Sequence, residues 1–165
     1  AQFTTLLQLG LQRHHRVLEI GCGTLNLGRY LIPYLNTKRY VCVEPNEWLI
    51  LSSLKMMQNR SEHSQNLVLA LRKKIQILYR YDFDASSTVS SPDEKFDFIF
   101  SHSVLEHIIN PELVYKSLYK LLKKGGTFSH EIDNSANGIT KSWNGHSFLN
   151  QKLWKIIFGK NVFAK

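Results

Sequence analysis

Four short stretches of this sequence place acids, glycines, aromatics or imidazoles where they could hold a polar ligand. In Glu19-Ile20-Gly21-Cys22-Gly23-Thr24-Leu25-Asn26, the glycines at 21 and 23 let the backbone turn tightly and let a ligand come within contact distance. A dinucleotide fingerprint would carry a third glycine at position 26; Asn26 stands there, which argues against a nicotinamide or flavin dinucleotide. Glu44 follows Glu19 by 25 positions, and its carboxylate can accept hydrogen bonds from both hydroxyls of a ribose. Asp82 beside Phe83 pairs an acceptor for an exocyclic amine with an apolar cover for its ring, and Asp84 could take the place of Asp82. Ser101-His102-Ser103-Val104-Leu105-Glu106-His107 supplies imidazoles and a carboxylate, the groups from which a general base is drawn. Each stretch also has a plain reading, as an ordinary strand-to-helix turn or a solvated strand-end acid.

The elements that must position these residues alternate between strand and helix. Residues 16–20, 39–44, 74–79, 96–100 and 127–132 are short apolar runs that read as five strands. Helical spacing predicts helices over about 24–35, with Pro33 in its last turn, and over 47–57, 103–108, 111–122 and 149–158. Gly125-Gly126 is expected to end the helix over 111–122. The polar segment 58–66 and the Ser-rich segment 86–94 read as loops, and 67–72 as a short helical continuation. Strands alternating with helices imply an α/β fold, a Rossmann-like doubly wound parallel sheet covered on both faces. Such sheets bind ligands at the carboxyl ends of their strands, which is where all four stretches fall.

Composition narrows the function classes. With 165 residues and 43% hydrophobic content the chain suits one packed domain, expected over 1–165. No apolar run approaches the roughly 20 residues of a membrane span, and the start lacks the order of a secretory signal. Cys22 and Cys42 are too few for a disulfide framework and lack zinc-ligand spacing, so Cys22 reads as a small filler of the glycine loop in a reducing, cytoplasmic setting. No metal is expected, since Asp133 and His146 share no compact ligand spacing with a strand-four carboxylate. Trp143 and Trp154 read as core or pocket wall.

Twenty-one Lys and Arg against 13 Asp and Glu give a net charge of +8, which taken alone suggests an anionic partner. Eight of the acids (Glu19, Glu44, Asp82, Asp84, Asp97, Glu106, Glu131 and Asp133) lie in or beside the stretches above. The cleft is therefore expected to be locally acidic inside a basic shell.

Together, Val17-Leu18-Glu19-Ile20-Gly21-Cys22-Gly23-Thr24, the stretch Phe96-Asp97-Phe98-Ile99-Phe100-Ser101-His102-Ser103-Val104-Leu105-Glu106-His107-Ile108 and Leu121-Leu122-Lys123-Lys124-Gly125-Gly126 carry a likeness. They resemble the class I S-adenosylmethionine-dependent methyltransferases, over roughly 16–132. The resemblance implies S-adenosylmethionine as cofactor and S-adenosylhomocysteine as product. It implies that Glu19, Gly21, Cys22 and Gly23 line the methionine and ribose part, that Glu44 and Pro45 lie at the ribose, that Asp82 and Phe83 hold adenine, and that Ser101 and His102 lie beside the methionine moiety. The sequence departs from the pattern at Leu25, where a third glycine is usual, and at Lys124, where a proline is common. A complete fold of this kind has seven strands, so the chain, which begins on Ala1 and ends on Lys165, is expected to stop short of the last ones.

The implied reaction is methyl transfer to an oxygen or nitrogen of a small-molecule acceptor. The alternatives are a cofactor-binding scaffold without turnover, or a nucleic-acid or protein methyltransferase. His102 and His107 are the candidate bases; His130 and Glu131 alternate along a strand, so at most one faces the cleft. A nucleic-acid partner is not expected, because Ser101-His102-Ser103-Val104 stands where amino-methylating nucleic-acid enzymes usually carry Asn-Pro-Pro-Tyr or its Asp variant. The oligomeric state and the acceptor are not legible.

Overall fold

Val17–Ile20 and Tyr40–Val43 are apolar at seven of eight positions and buried throughout, the pattern of central strands covered on both faces. In a computed structural model of the chain, which describes residues 2–58, 69, 73–105 and 111–131, they form β1 and β2. With β3 (Gln76–Leu78), β4 (Phe96–His102) and β5 (Leu122–Glu131) they make one sheet of order β3-β2-β1-β4-β5, in which every pairing is parallel. The five strands and the alternating order are those expected from periodicity. The strand order reverses between β1 and β4, which puts the crevice of a doubly wound sheet at the carboxyl ends of these two strands.

Helices α1 (Gln2–Gln8), α2 (Gly28–Tyr34), α3 (Glu47–Gln58) and α4 (Pro111–Leu121) accompany the sheet. Leu6, Leu31 and Ile50 join Val17, Cys42 and Phe100 in one core cluster. Leu18, Ile20, Val43 and Ile99 form the other with Tyr115, Leu118 and Leu121 of α4. The period-2 alternation along β1 thus feeds two cores from one strand. Asp97 ties the amino ends together: Oδ2 accepts the Arg16 N–H at 2.7 Å and Oδ1 accepts Lys123 Nζ at 2.9 Å.

Five expectations need correction. α2 begins at Gly28 rather than near Thr24, because Leu25 adopts a left-handed φ of 58° and carries the chain through a turn first. β3 is only three residues long, so Asp82 lies four residues beyond its end. Gly125-Gly126 does not terminate α4, which stops at Leu121; the pair lies inside β5. There Leu122 and Thr127 face Phe96 and Phe98, so three extra residues bulge from β5. The segment 86–94 contains two short 3-10 helices, Ser86–Thr88 and Pro92–Glu94. Among the described residues no helix is long and apolar enough to cross a membrane. The helix expected over 103–108 does not begin at Ser103, which has φ 50°, and its second half lies outside the described residues; so do, wholly or mostly, the elements expected over 58–66, 67–72 and 149–158, and Glu106, His107, Asp133, Trp143, His146 and Trp154.

Candidate functional site

The glycine loop leaves β1 at Ile20 and is shaped by what surrounds it. Gly21 has φ +71°, and a Cβ there would collide with the Val104 side chain, so the loop after β1 and the loop after β4 touch only because residue 21 is glycine. A Cβ at Gly23 would meet nothing within 4 Å, so beside this residue the loop borders open space. Leu25 takes the backbone conformation that a third glycine would supply while its side chain is fully buried in the core. Gly28, at the start of α2, leaves room for the Tyr40 hydroxyl, which a Cβ would approach to 2.9 Å.

Glu44 binds the loop directly. Its Oε2 accepts the Gly23 N–H at 2.8 Å and its Oε1 accepts the Asn46 N–H at 2.9 Å. One carboxylate thus fixes both the glycine loop and the turn through Pro45 that opens α3. Asn46 then caps α3, its side-chain oxygen accepting the Trp48 N–H at 3.1 Å. Ser53, about two turns beyond Asn46 in α3, donates to the Thr24 carbonyl at 2.6 Å and docks the helix on the loop. Glu44 is buried, yet each carboxylate oxygen retains a second lone pair for a ligand hydroxyl.

Glu19 sits deeper. The Tyr40 hydroxyl donates to its Oε2 at 2.6 Å. Burial pushes the Glu19 carboxyl up to about 7; the Tyr40 hydrogen bond opposes this and the nearby Glu44 charge adds to it. The two acids that seemed separate in sequence therefore sense each other. The same burial, together with Glu19, raises the Tyr40 hydroxyl well above its ordinary range.

Cys22 is not a passive filler. It is joined to Cys42 of β2 by a disulfide with Cα atoms 6.0 Å apart, which leaves no free cysteine among the described residues. The covalent link runs between the same two elements, the glycine loop and β2, that the Gly23–Glu44 hydrogen bond connects.

β4 runs on through His102, so Ser101 and His102 belong to the strand itself. Ser101 is fully buried and its hydroxyl has no hydrogen-bond partner among the described residues. His102 is exposed at the strand's carboxyl end, and Ser103 after it has φ 50°. His130 pairs in register with Ser101 and is likewise buried, its ring parallel to that of Phe128.

Asp82 and Phe83 lie beyond the end of β3, in the loop that follows it. Asp82 accepts Arg80 Nε at 2.9 Å and Nη2 at 2.6 Å, and this pairing holds its carboxyl down to about 2. Asp84 accepts both the N–H and the hydroxyl of Ser86 at 2.8 Å. Both acids are committed to local turns. Phe83, at φ 53°, packs half-buried against the core that contains Ile20 and Val43.

The residues present fit the implied cofactor at its ribose and methionine side. There the loop borders open space at Gly23, a buried carboxylate has lone pairs to spare, and the buried Ser101 hydroxyl lacks a partner. Among the described residues, no group of three or more His, Cys, Asp or Glu side chains is placed to hold a metal ion. Sequence reasoning missed Tyr40 and Asn46; a polar residue at a strand start and an Asx directly before a helix were the available signs.

Comparison with known proteins gives a consistent picture. A family described as a methyltransferase domain matches residues 18–128. A sterol 24-C-methyltransferase of Neurospora crassa is 25% identical over 121 residues, which is 73% of this chain and 28% of that protein. The chain thus spans under a third of that relative's length. Among solved structures, a sarcosine dimethylglycine methyltransferase, so described provisionally, from Galdieria sulphuraria superposes with a TM-score of 0.60 at 19% identity, over 94% of this chain and 57% of that one. A glycopeptide N-methyltransferase in complex with S-adenosylmethionine gives 0.54 at 13% identity, over 79% and 52%. These structures share the fold of β1 to β5.

Proposed function

Since the chain belongs to the methyltransferase-domain family, we propose that it is an S-adenosylmethionine-dependent methyltransferase acting on an oxygen or nitrogen of a small-molecule acceptor. The observation that carries this reading is the Glu44 carboxylate, buried at the end of β2 and holding the glycine loop through the Gly23 N–H. In the proposed complex Glu44 accepts the ribose hydroxyls with Pro45 alongside. Gly21, Cys22 and Gly23 pass their backbone beside the ligand, and Glu19, about half ionised near pH 7, adds part of a negative charge to the pocket. The Ser101 hydroxyl meets the polar end of the methionine moiety, and Asp82 and Phe83 flank adenine from the loop after β3. Bound S-adenosylmethionine supplies a methyl group already activated on a cationic sulfonium. The chain's own part is to orient the acceptor in line with that methyl and to keep water out.

For an oxygen acceptor, His102 is the proposed base, being the exposed imidazole at the carboxyl end of β4; His107 is its sequence neighbour for the same role. Replacing His102 by Ala should lower kcat by roughly 100-fold. An unchanged kcat would assign the acceptor its own proton loss, as an amine allows. Residues 1–165 form one domain in this reading. Leu25 keeps the turn that a glycine would give, which weakens the main ground for a scaffold without turnover.

Calorimetry with S-adenosylhomocysteine tests the cofactor assignment. Glu44→Ala should weaken binding roughly 100-fold, the worth of two charge-assisted hydrogen bonds. A folded sample with no affinity for either form of the cofactor overturns the proposal. The reading also places the protein in the cytoplasm, where thiols are kept reduced and Cys22–Cys42 would exchange with the dithiol. Recovery of the fully oxidised pair from cells quenched with a thiol-alkylating reagent would contradict that placement.

A further inference from the structure

The cofactor end of the sheet leaves the cations at the opposite end unexplained. Arg16, Lys38, Arg39 and Lys74, on the segments leading into β1, β2 and β3, line one open cavity of about 630 Å³. Two acids, Asp93 and Glu94, line it too, so the cations are in excess. Glu94 Oε2 is already committed to the Ser90 N–H at 2.6 Å. The side chains of Lys38, Arg39 and Lys74 have no ion pair or hydrogen bond among the described residues. Arg16 is fixed in place: its guanidinium lies 4.6 Å from the centroid of the Phe96 ring, and Nη2 donates to the Thr88 carbonyl at 2.8 Å. Its Nη1 has no partner among the described residues.

The backbone adds an independent sign. Lys38 has φ 61° and Lys74 has φ 52°, a left-handed conformation that glycine or asparagine adopts at lower cost. The two turns are linked, the Lys38 N–H donating to the Lys73 carbonyl at 2.8 Å. Both strained positions carry a long cation, and both cations line the same cavity. Strain held at paired positions is characteristic of a binding surface rather than of a plain connection.

We propose that this cavity binds a small phosphorylated anion carrying a diphosphate group, at the amino ends of β1, β2 and β3 and apart from the cofactor site. The volume lies within the ~300–1,000 Å³ of small-molecule sites. Four cations from three segments match the several oxygens of a diphosphate better than a single carboxylate or sulfate. S-adenosylmethionine carries a single carboxylate and no phosphate, and its sulfonium and ammonium make it a net cation, so it is a poor match for this end.

The test is calorimetric titration of the whole chain with inorganic pyrophosphate, and in parallel with a nucleoside diphosphate and a mixed-sequence RNA oligonucleotide. The double variant Lys38→Gly/Lys74→Gly removes both charges while easing both turns, so its thermal midpoint should hold or rise. Its pyrophosphate affinity should fall roughly tenfold or more, with S-adenosylhomocysteine binding unchanged. Asp93→Asn removes an opposing charge and should tighten pyrophosphate binding about two- to threefold. A wild-type chain that does not bind pyrophosphate, or a folded double variant that binds it as wild type does, overturns the proposal. Unchanged or weaker binding by Asp93→Asn counts against it even if the double variant fails to fold. Tighter binding of the nucleoside diphosphate than of pyrophosphate supports the site and assigns the diphosphate to a nucleotide. RNA binding far tighter than either, lost in the same variant, overturns the small ligand in favour of nucleic acid.

Discussion

The two ends of the parallel sheet are built by the same device and to opposite effect. At the carboxyl ends of β1, β3 and β4, Leu25, Phe83 and Ser103 hold left-handed backbone conformations; at the amino ends of β2 and β3, Lys38 and Lys74 do. At the carboxyl end the strained turns surround buried acids, and Leu25 and Phe83 turn inward to pack in the two cores. At the amino end the strained residues are exposed cations around an open cavity. Where the strained side chain is apolar, burial offsets the backbone cost; where it is charged and exposed, burial does not, and at Lys38 the offset is the hydrogen bond from its N–H to the Lys73 carbonyl. The second kind of strain points outward, to a ligand.

The largest test of this contrast is Gly21→Ala. It adds a methyl against Val104 at a positive φ, and should cost about 4 kcal/mol in urea unfolding, overpacking and backbone strain together. A cost below about 1 kcal/mol would mean that the two carboxyl-end loops are not in contact.

Next comes pH. Because Glu19 has a folded pKa of about 7, above its unfolded value of 4.5, the folded state binds the extra proton between those values. Stability should therefore fall by about 3 kcal/mol as pH rises from 4.5 through 7, and level off about one unit above. Glu19→Gln should flatten that slope in urea midpoints taken across the window. A slope identical in the variant would show that Glu19 is not the group responsible.

Reduction of Cys22–Cys42 opens a loop whose ends are 20 residues apart in sequence. Chain entropy predicts a loss of roughly 3 kcal/mol, read as a lower thermal midpoint in dithiothreitol. The effect should vanish in Cys42→Ala.

The smallest effects discriminate most finely between the two ends. Leu25→Gly and Lys38→Gly relieve the same strain. The first also empties a buried site and should cost about 2 kcal/mol net, whereas the second should stabilise by up to about 1 kcal/mol. Changes of the same sign would break the comparison.

Much of this molecule was legible from its residues, for physical reasons that differ by element. β1 and β2 could be read because central parallel strands are apolar on both faces. Glu44 could be placed because the apolar run of β2 stops at it; its hold on the Gly23 N–H could not be read. α1 was missed, although its stop is a glycine: Gly10 at φ +91° closes a Schellman motif, with Leu11 N–H to the Leu6 carbonyl at 2.9 Å and Gly10 N–H to the Leu7 carbonyl at 3.0 Å. Gly125-Gly126 misled because a glycine pair serves a helix stop and a strand bulge equally well. The disulfide was illegible because two cysteines on neighbouring segments carry no spacing rule; only the sheet order brings them together. Leu25 shows the converse, a residue that breaks a pattern while keeping the backbone shape the pattern encodes.

The bulge in β5 has a consequence for how copies of this chain meet. Among the described residues, β3 and β5 are the two margins of the sheet, where unpaired N–H and C=O groups invite a strand from another molecule. β3 offers only three residues, too few for a lasting ladder. β5 is long, but its first half is thrown out of register and carries Lys123 and Lys124. Among the described residues one margin is blunted by brevity and the first half of the other by distortion and charge, so neither offers a long regular template for edge-to-edge pairing.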